Sequence, residues 1–161
     1  IIELLEPLQG TIADDRELLA IYAEAAYHTG DFARALELYY NIAYLDGGDA
    51  VKPRLAWLLV LNGDFDAAEA TFADFIENSA EPADFMHLGH MHWAKNEISQ
   101  ALDAYARAAA LMSPRKESFD ELFADSFAAV MNRLSIEQAG ALRTVPDIIA
   151  FRTYGSRLGK L

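Results

Sequence analysis

The eight residues Met86-His87-Leu88-Gly89-His90-Met91-His92-Trp93 carry three of the chain's four histidines. Imidazole titrates nearest neutrality of all side chains and is the commonest metal ligand. His87 and His90 are three apart, so on a helix they share a face. A metal site needs a third and usually a fourth ligand. No Cys is present and no His-Glu-x-x-His run occurs, so no further ligand is evident and no metal is expected. His92 is expected to be half-buried and hydrogen-bonded. His87 and His90 are left either to touch a bound peptide or to be solvated.

Other chemistry is fainter. There is no Gly-x-Ser-x-Gly nucleophile turn and no Gly-x4-Gly-Lys-[Ser/Thr] phosphate loop. Gly47-Gly48-Asp49-Ala50-Val51-Lys52 is Gly-rich and ends in Lys, but at the wrong spacing for phosphate. The carboxylates are dispersed, not paired as acid and base. The expectation is therefore a protein that is not an enzyme and takes no cofactor. Trp57 and Trp93 are the two tryptophans. An exposed Trp is a frequent interface anchor, and a buried one packs a neighbouring helix; both readings stand at this point.

The elements that position these residues are helical. Apolar residues make up 53% of the 161, enough for a core, and no apolar run approaches the roughly 18–20 residues of a membrane span. Residues 1–100 hold 18 acids and 5 bases, a balance of -13, whereas residues 101–161 hold 7 acids and 8 bases, a balance of +1. An acidic body disfavours the phosphate backbone, so neither nucleic acid nor membrane is an expected partner. The lack of Cys fits a reducing compartment, and a cytoplasmic location is expected. The first residue is Ile1, and the chain reads as part of a longer protein.

Three segments align without gaps at a spacing of 33 residues. Gly30-Asp31-Phe32, Gly63-Asp64-Phe65 and Asn96-Glu97-Ile98 mark the same place in each. Ala35, Ala68 and Ala101 follow, then Tyr39, Phe72 and Tyr105. Upstream, Ala23, Ala56 and Gly89 fall in one register. Each segment reads as two antiparallel helices whose small residues face one another. A turn at Gly30, Gly63 or Asn96 joins them, where positive φ is easily reached. The acid after each turn sits near a helix N-terminus, where negative charge is favoured.

The spacing and the Ala-x3-aromatic pattern resemble the tetratricopeptide-repeat (TPR) family, and Leu88-Gly89 matches its Leu-Gly pair. The resemblance implies an all-α, right-handed superhelix. Its repeats would occupy residues 14–48, 49–81 and 82–114, preceded at 1–13 by a helix end or linker and followed at 115–161 by a helical cap. Helices are expected at about 15–28, 31–45, 50–61, 64–78, 83–94 and 97–112, with Asp14 and Glu17 forming a capping box at the start. The apolar spacing of Phe119, Leu122, Phe123, Phe127, Val130, Met131 and Leu134 predicts a capping helix over 117–134. Short helices should follow at 135–142 and 147–154. With its tail (Phe119, Phe123, Asp125, Leu134, Ile136, then Val-Pro-Asp-Ile-Ile from Val145), the chain resembles the C-terminal part of TPR proteins of Bacteroides-type bacteria, whose function is not established. The stretch from Leu19 to Asp46 is also similar to the small three-TPR chaperones of secretion translocators.

The TPR resemblance implies a protein-interaction scaffold whose first helices line a concave groove. The residues it points inward are Glu24, Tyr27 and His28, then Arg54, Trp57 and Leu61, then His87, His90 and Trp93. A peptide or protein is the expected occupant; the alternative is a chaperone shielding the apolar segment of a secreted or membrane-active client. The places where some TPR domains clamp a carboxylate hold Ala20, Glu24, Arg54, Ala83 and His87, and Glu24 would repel an acidic tail.

Overall fold

The computed structural model describes residues 16–46, 48–112 and 116–150, and among these the chain is all-α without a strand. The helices are α1 (Arg16–His28), α2 (Phe32–Asp46), α3 (Lys52–Leu61), α4 (Phe65–Ala73), α5 (Pro82–Ala94), α6 (Ile98–Leu111), α7 (Lys116–Val130), α8 (Ile136–Leu142) and α9 (Val145–Ala150). They divide into two compact units, Ile1–Phe75 and Ile76–Leu161, each with its own core. No described helix is long and apolar enough to cross a membrane.

The turns follow from residue chemistry. Gly30, Gly63 and Asn96 have φ of 84°, 82° and 63°. Asn is among the non-Gly residues that best tolerate this left-handed region. In each turn the next N–H reaches back five residues: Asp31 to the Ala26 carbonyl at 2.9 Å, Asp64 to Leu59 at 2.9 Å and Glu97 to His92 at 2.8 Å. This bond closes a helix end whose carbonyls would otherwise lack partners. Asp31 and Asp64 then start α2 and α4 by accepting from the Arg34 N–H at 3.1 Å and the Ala67 N–H at 3.3 Å. Each such cap contributes about 1 kcal/mol. Glu97 caps nothing with its side chain, which turns to His92 instead.

In the first unit α1 packs on α2, α3 packs on α4, and α2 also packs on α3. Its core includes Leu19, Tyr22, Leu38, Ile42, Phe72 and every residue from Leu55 to Leu61. A helix buried all round has no polar face to show, and Leu55–Leu61 has none. In the second unit α5 pairs with α6, and α7 packs on both. Phe119 and Phe123 of α7 and Leu142, Val145 and Ile149 of α8 and α9 share one core with Phe85, Trp93 and Tyr105. Burying each large apolar side chain contributes about 1.5–3 kcal/mol. Gly89 lies against the Tyr105 ring, where an added Cβ would stand 2.5 Å from a ring carbon. In this pair the small residue packs on the aromatic of the second helix.

Several boundaries differ from expectation. α4 ends at Ala73 instead of near 78, because Asp74 and Phe75 tighten to bonds three residues back and a single 3-10 turn follows at Ile76–Asn78. α7 ends at Val130, followed by a 3-10 turn at Met131–Arg133, and Met131 is exposed. Leu134 is extended and feeds Ser135, which forms a capping box with Gln138. α9 starts at Val145, two residues early, with Pro146 in its first turn, where the missing N–H has no intrahelical partner to lose. The expected helix end at 1–9 and the capping-box residue Asp14 lie outside the described residues, as does the stretch 151–154.

Candidate functional site

In the first unit, α1 and α3 bring together Glu24, Tyr27, His28, Arg54 and Trp57. Arg54 Nη2 lies 3.2 Å from Glu24 Oε1, and its guanidinium sits 4.1 Å from the centre of the Tyr27 ring. His28 Nε2 lies 3.3 Å from Glu24 Oε2, one helical turn away. The Tyr39 hydroxyl of α2 donates to the same carboxylate. Burial, and then the hydrogen bond to Glu24, hold the Tyr39 phenol well above its ordinary value. Trp57 Nε1 donates to the Tyr27 hydroxyl at 3.0 Å. Glu24 thus accepts from Tyr39 and lies within ion-pair distance of Arg54 and His28, and Arg54 is fixed by a carboxylate and an aromatic face. His28 is exposed, while Glu24, Tyr27 and Arg54 are half-buried, so all four reach solvent.

Trp57 and Leu61 do not join them at the surface. They are 1% and 3% exposed. This corrects the groove expectation for both: they belong to the core, because α3 is covered on every side from Leu55 onward.

The second unit gives a different result for the histidines. His90 is 0% exposed. Its Nδ1 lies 2.7 Å from the Tyr105 hydroxyl and its Nε2 2.7 Å from Ser126 Oγ. Ser126 in turn donates to the Leu122 carbonyl at 2.9 Å, so its own hydrogen is spent. It must then accept from Nε2–H, which leaves Nδ1 as the acceptor of the Tyr105 hydroxyl. The chain Tyr105–His90–Ser126–Leu122 has one direction and no spare donor. Burial lowers the His90 pKa to about 3, so the ring is neutral at pH 7. With both nitrogens taken, His90 is neither a groove residue nor solvated. Trp93 is 6% exposed, and its Nε1 donates to the Gln138 carbonyl of α8 at 3.0 Å. It too is core, covered by the C-terminal helices. His87 is half-buried. His92 is half-buried against Glu97, its Nδ1 2.8 Å from Oε1, and this bond, followed by Lys95, holds the Glu97 carboxyl below its ordinary range.

The nine groove residues therefore separate. Glu24, Tyr27, His28 and Arg54 form one linked, solvent-reaching patch in the first unit; His87 is half-buried on α5 of the second; Trp57, Leu61, His90 and Trp93 are buried. Among the described residues no group of three or more His, Asp or Glu is placed to hold a metal. An open depression of about 430 Å³ lies between Trp93, Ile98 and α8, but it is lined by one carboxylate, Glu137, and by the Gln138 amide, which already bonds Asn96 at 2.9 Å.

Tyr39, Tyr105 and Ser126 were missed as partners. A signal existed for the two tyrosines. Glu24 and Tyr39 are 15 residues apart, as are His90 and Tyr105. The same interval from Trp57 reaches Phe72. Where the aromatic carries a hydroxyl, the first helix supplies a polar side chain for it; where it does not, the place holds Trp. Ser126 had no such signal, since it comes from a helix outside the register. In comparisons with known proteins, no family model fits the chain, and no curated protein or solved structure is significantly similar to it.

Proposed function

We propose that the chain is a TPR-like array of three helix pairs closed by C-terminal helices, and that it works as a protein-interaction scaffold and not as an enzyme. The observation that carries the architectural reading is the turn. Gly30, Gly63 and Asn96 stand 33 residues apart, share positive φ, and are followed by the same reach-back bond. The binding reading rests on the patch of Glu24, Tyr27, His28 and Arg54. An aromatic ring and a fixed guanidinium at a half-buried surface are what interface anchors are made of, and Tyr and Arg are enriched among them. The partner is a protein or peptide segment whose apolar group covers the Tyr27 edge while a polar group meets His28 or Arg54.

Site-specific photo-crosslinkers placed at His28 and Arg54, with controls at Glu69 and Asp103, test this in cells. One partner captured from both patch positions and from neither control supports the reading. No capture, or equal capture at all four, removes it.

A further inference from the structure

The Tyr105–His90–Ser126 chain ties α7 to the α5–α6 pair through polar groups in a dry interior. We infer that His90 is an acid-sensitive latch: when its ring takes up a proton, α7 and the short helices after it come away from α5, uncovering the apolar face around Phe85 and Trp93. This inference is independent of the partner-binding reading.

The geometry gives protonation no room. Nδ1 is the only free acceptor on the ring, and it points at the Tyr105 hydroxyl. A proton there sets two donors head to head, and turning the Tyr105 hydrogen away leaves it unpaired in the core. The ring is fully buried, so a cation there would sit in a low-dielectric interior. From α6 the facing group is Tyr105, whose phenol burial holds well above its ordinary value. From α7 they are Ser126 and the Phe123 ring, 5.4 Å away. Of the described acids on α7, Glu121 and Asp125 are exposed, and Asp120 is half-buried with its Oδ1 inside the fold. α8 meets α5 through the uncharged Gln138. On α5 itself His87 lies one turn earlier, and Asp84 is held by Ser79 at 2.7 Å. Burial is the cause of the lowered His90 pKa.

Linkage sets the direction. The docked ring binds its proton only near pH 3, whereas an undocked ring binds it near the ordinary 6.5. Docking is therefore fully favoured above that ordinary value and weakens as pH falls through it. Between pH 7.5 and 5 the docking equilibrium shifts about thirtyfold toward release. Local docking of a few short helices has a smaller free energy than global unfolding, so such a shift is felt there first. What is released is apolar: Trp93 loses its Gln138 partner, and Phe119 and Phe123 leave Phe85 and Tyr105.

Amide hydrogen exchange on the whole chain at pH 7.5 and pH 5, corrected for intrinsic rates, tests the latch. Amides of α7–α9 should lose protection by about thirtyfold, while those of α3 and α4 change by less than about threefold. In His90→Gln, which keeps a donor and an acceptor but cannot be protonated, the loss in α7–α9 should disappear. Nitrogen NMR of the His90 ring in the unaltered chain gives a second readout if that variant does not fold. The Nε2–H tautomer should convert to imidazolium with the same midpoint as the loss of protection. Equal losses in both units, no loss at pH 5, an unchanged loss in His90→Gln, or release while the ring stays neutral would each overturn the inference.

Discussion

Glu24, Trp57 and His90 occupy one register, 33 residues apart, and each stands 15 residues before an aromatic. In the first unit Glu24 meets the hydroxyl of Tyr39 at a surface, with Arg54 and His28 sharing its charge. In the second unit His90 meets the hydroxyl of Tyr105 in a dry core under α7. A charged acceptor survives where water and a guanidinium help to solvate it; a neutral ring takes the same place where nothing does. The difference teaches that register assigns the pairing partner, while the surroundings assign the chemistry. The first unit shows its polar cluster to solvent, and the second hides it behind a helix.

The largest effects should come from the tryptophans. Trp57→Ala and Trp93→Ala each remove a buried ring and should lower stability by about 3–5 kcal/mol in thermal or denaturant unfolding. Trp93→Ala should first loosen α8, which meets it through Gln138. A loss under about 1 kcal/mol for either would mean the ring is a surface anchor after all, and the comparison between the units would fail.

Gly89→Ala sharpens the contrast with Ala56 one register earlier. Ala is the better helix former by about 1 kcal/mol, so an unconstrained site would gain. Here the new Cβ meets the Tyr105 ring at 2.5 Å, and that ring is held by His90. The net outcome should be a loss of about 1–3 kcal/mol. A calorimetric melt showing a gain would indicate that Tyr105 can move aside, and with it the whole Tyr–His–Ser chain.

Much of this was legible in the sequence, and the limits have a physical cause. Gly30, Gly63 and Asn96 are the residues that take positive φ most readily, so the turns could be read directly. The apolar spacing of Phe119 and Phe123 likewise gave α7 and its buried stripe. The fate of Trp57, His90 and Trp93 could not be read that way. Periodicity says which residues share a stripe, not what lies over it. The cover on His90 and Trp93 comes from Ser126 and Gln138, 36 and 45 residues away and outside the register. Glu24, Tyr27, His28 and Arg54 come together because α1 and α3 set them side by side, joined through Glu24–Arg54, Glu24–His28 and Arg54–Tyr27 contacts.

The two tyrosines test the comparison more finely. Tyr105→Phe leaves His90 Nδ1 buried without a donor, which should lower stability by about 1–3 kcal/mol. Tyr39→Phe leaves Glu24 with Arg54, His28 and water, and should cost no more than about 1 kcal/mol. Equal losses, measured by urea unfolding at pH 7.5, would show that the Glu24 site is as dry as the His90 site.

Arg54→Ala should likewise have only a small effect on stability. Arg54 and Glu24 have side chains 32% and 39% exposed, and ion pairs of that exposure contribute about 0.2–1 kcal/mol. The ring contact with Tyr27 adds about 0.5–1 kcal/mol at most. The fold should therefore tolerate the change, with unfolding curves within about 1–2 kcal/mol of the parent. Raising the salt should reproduce part of the same loss, because exposed charges are screened. Glu24 keeps His28 and Tyr39, so its carboxylate stays anchored and the patch loses only its cation. Any partner held through Arg54 should then dissociate faster while α1 and α3 keep their helicity by circular dichroism. A large loss of stability would instead make Arg54 a strut between α1 and α3, and would move the Glu24 cluster to the same side of the comparison as His90.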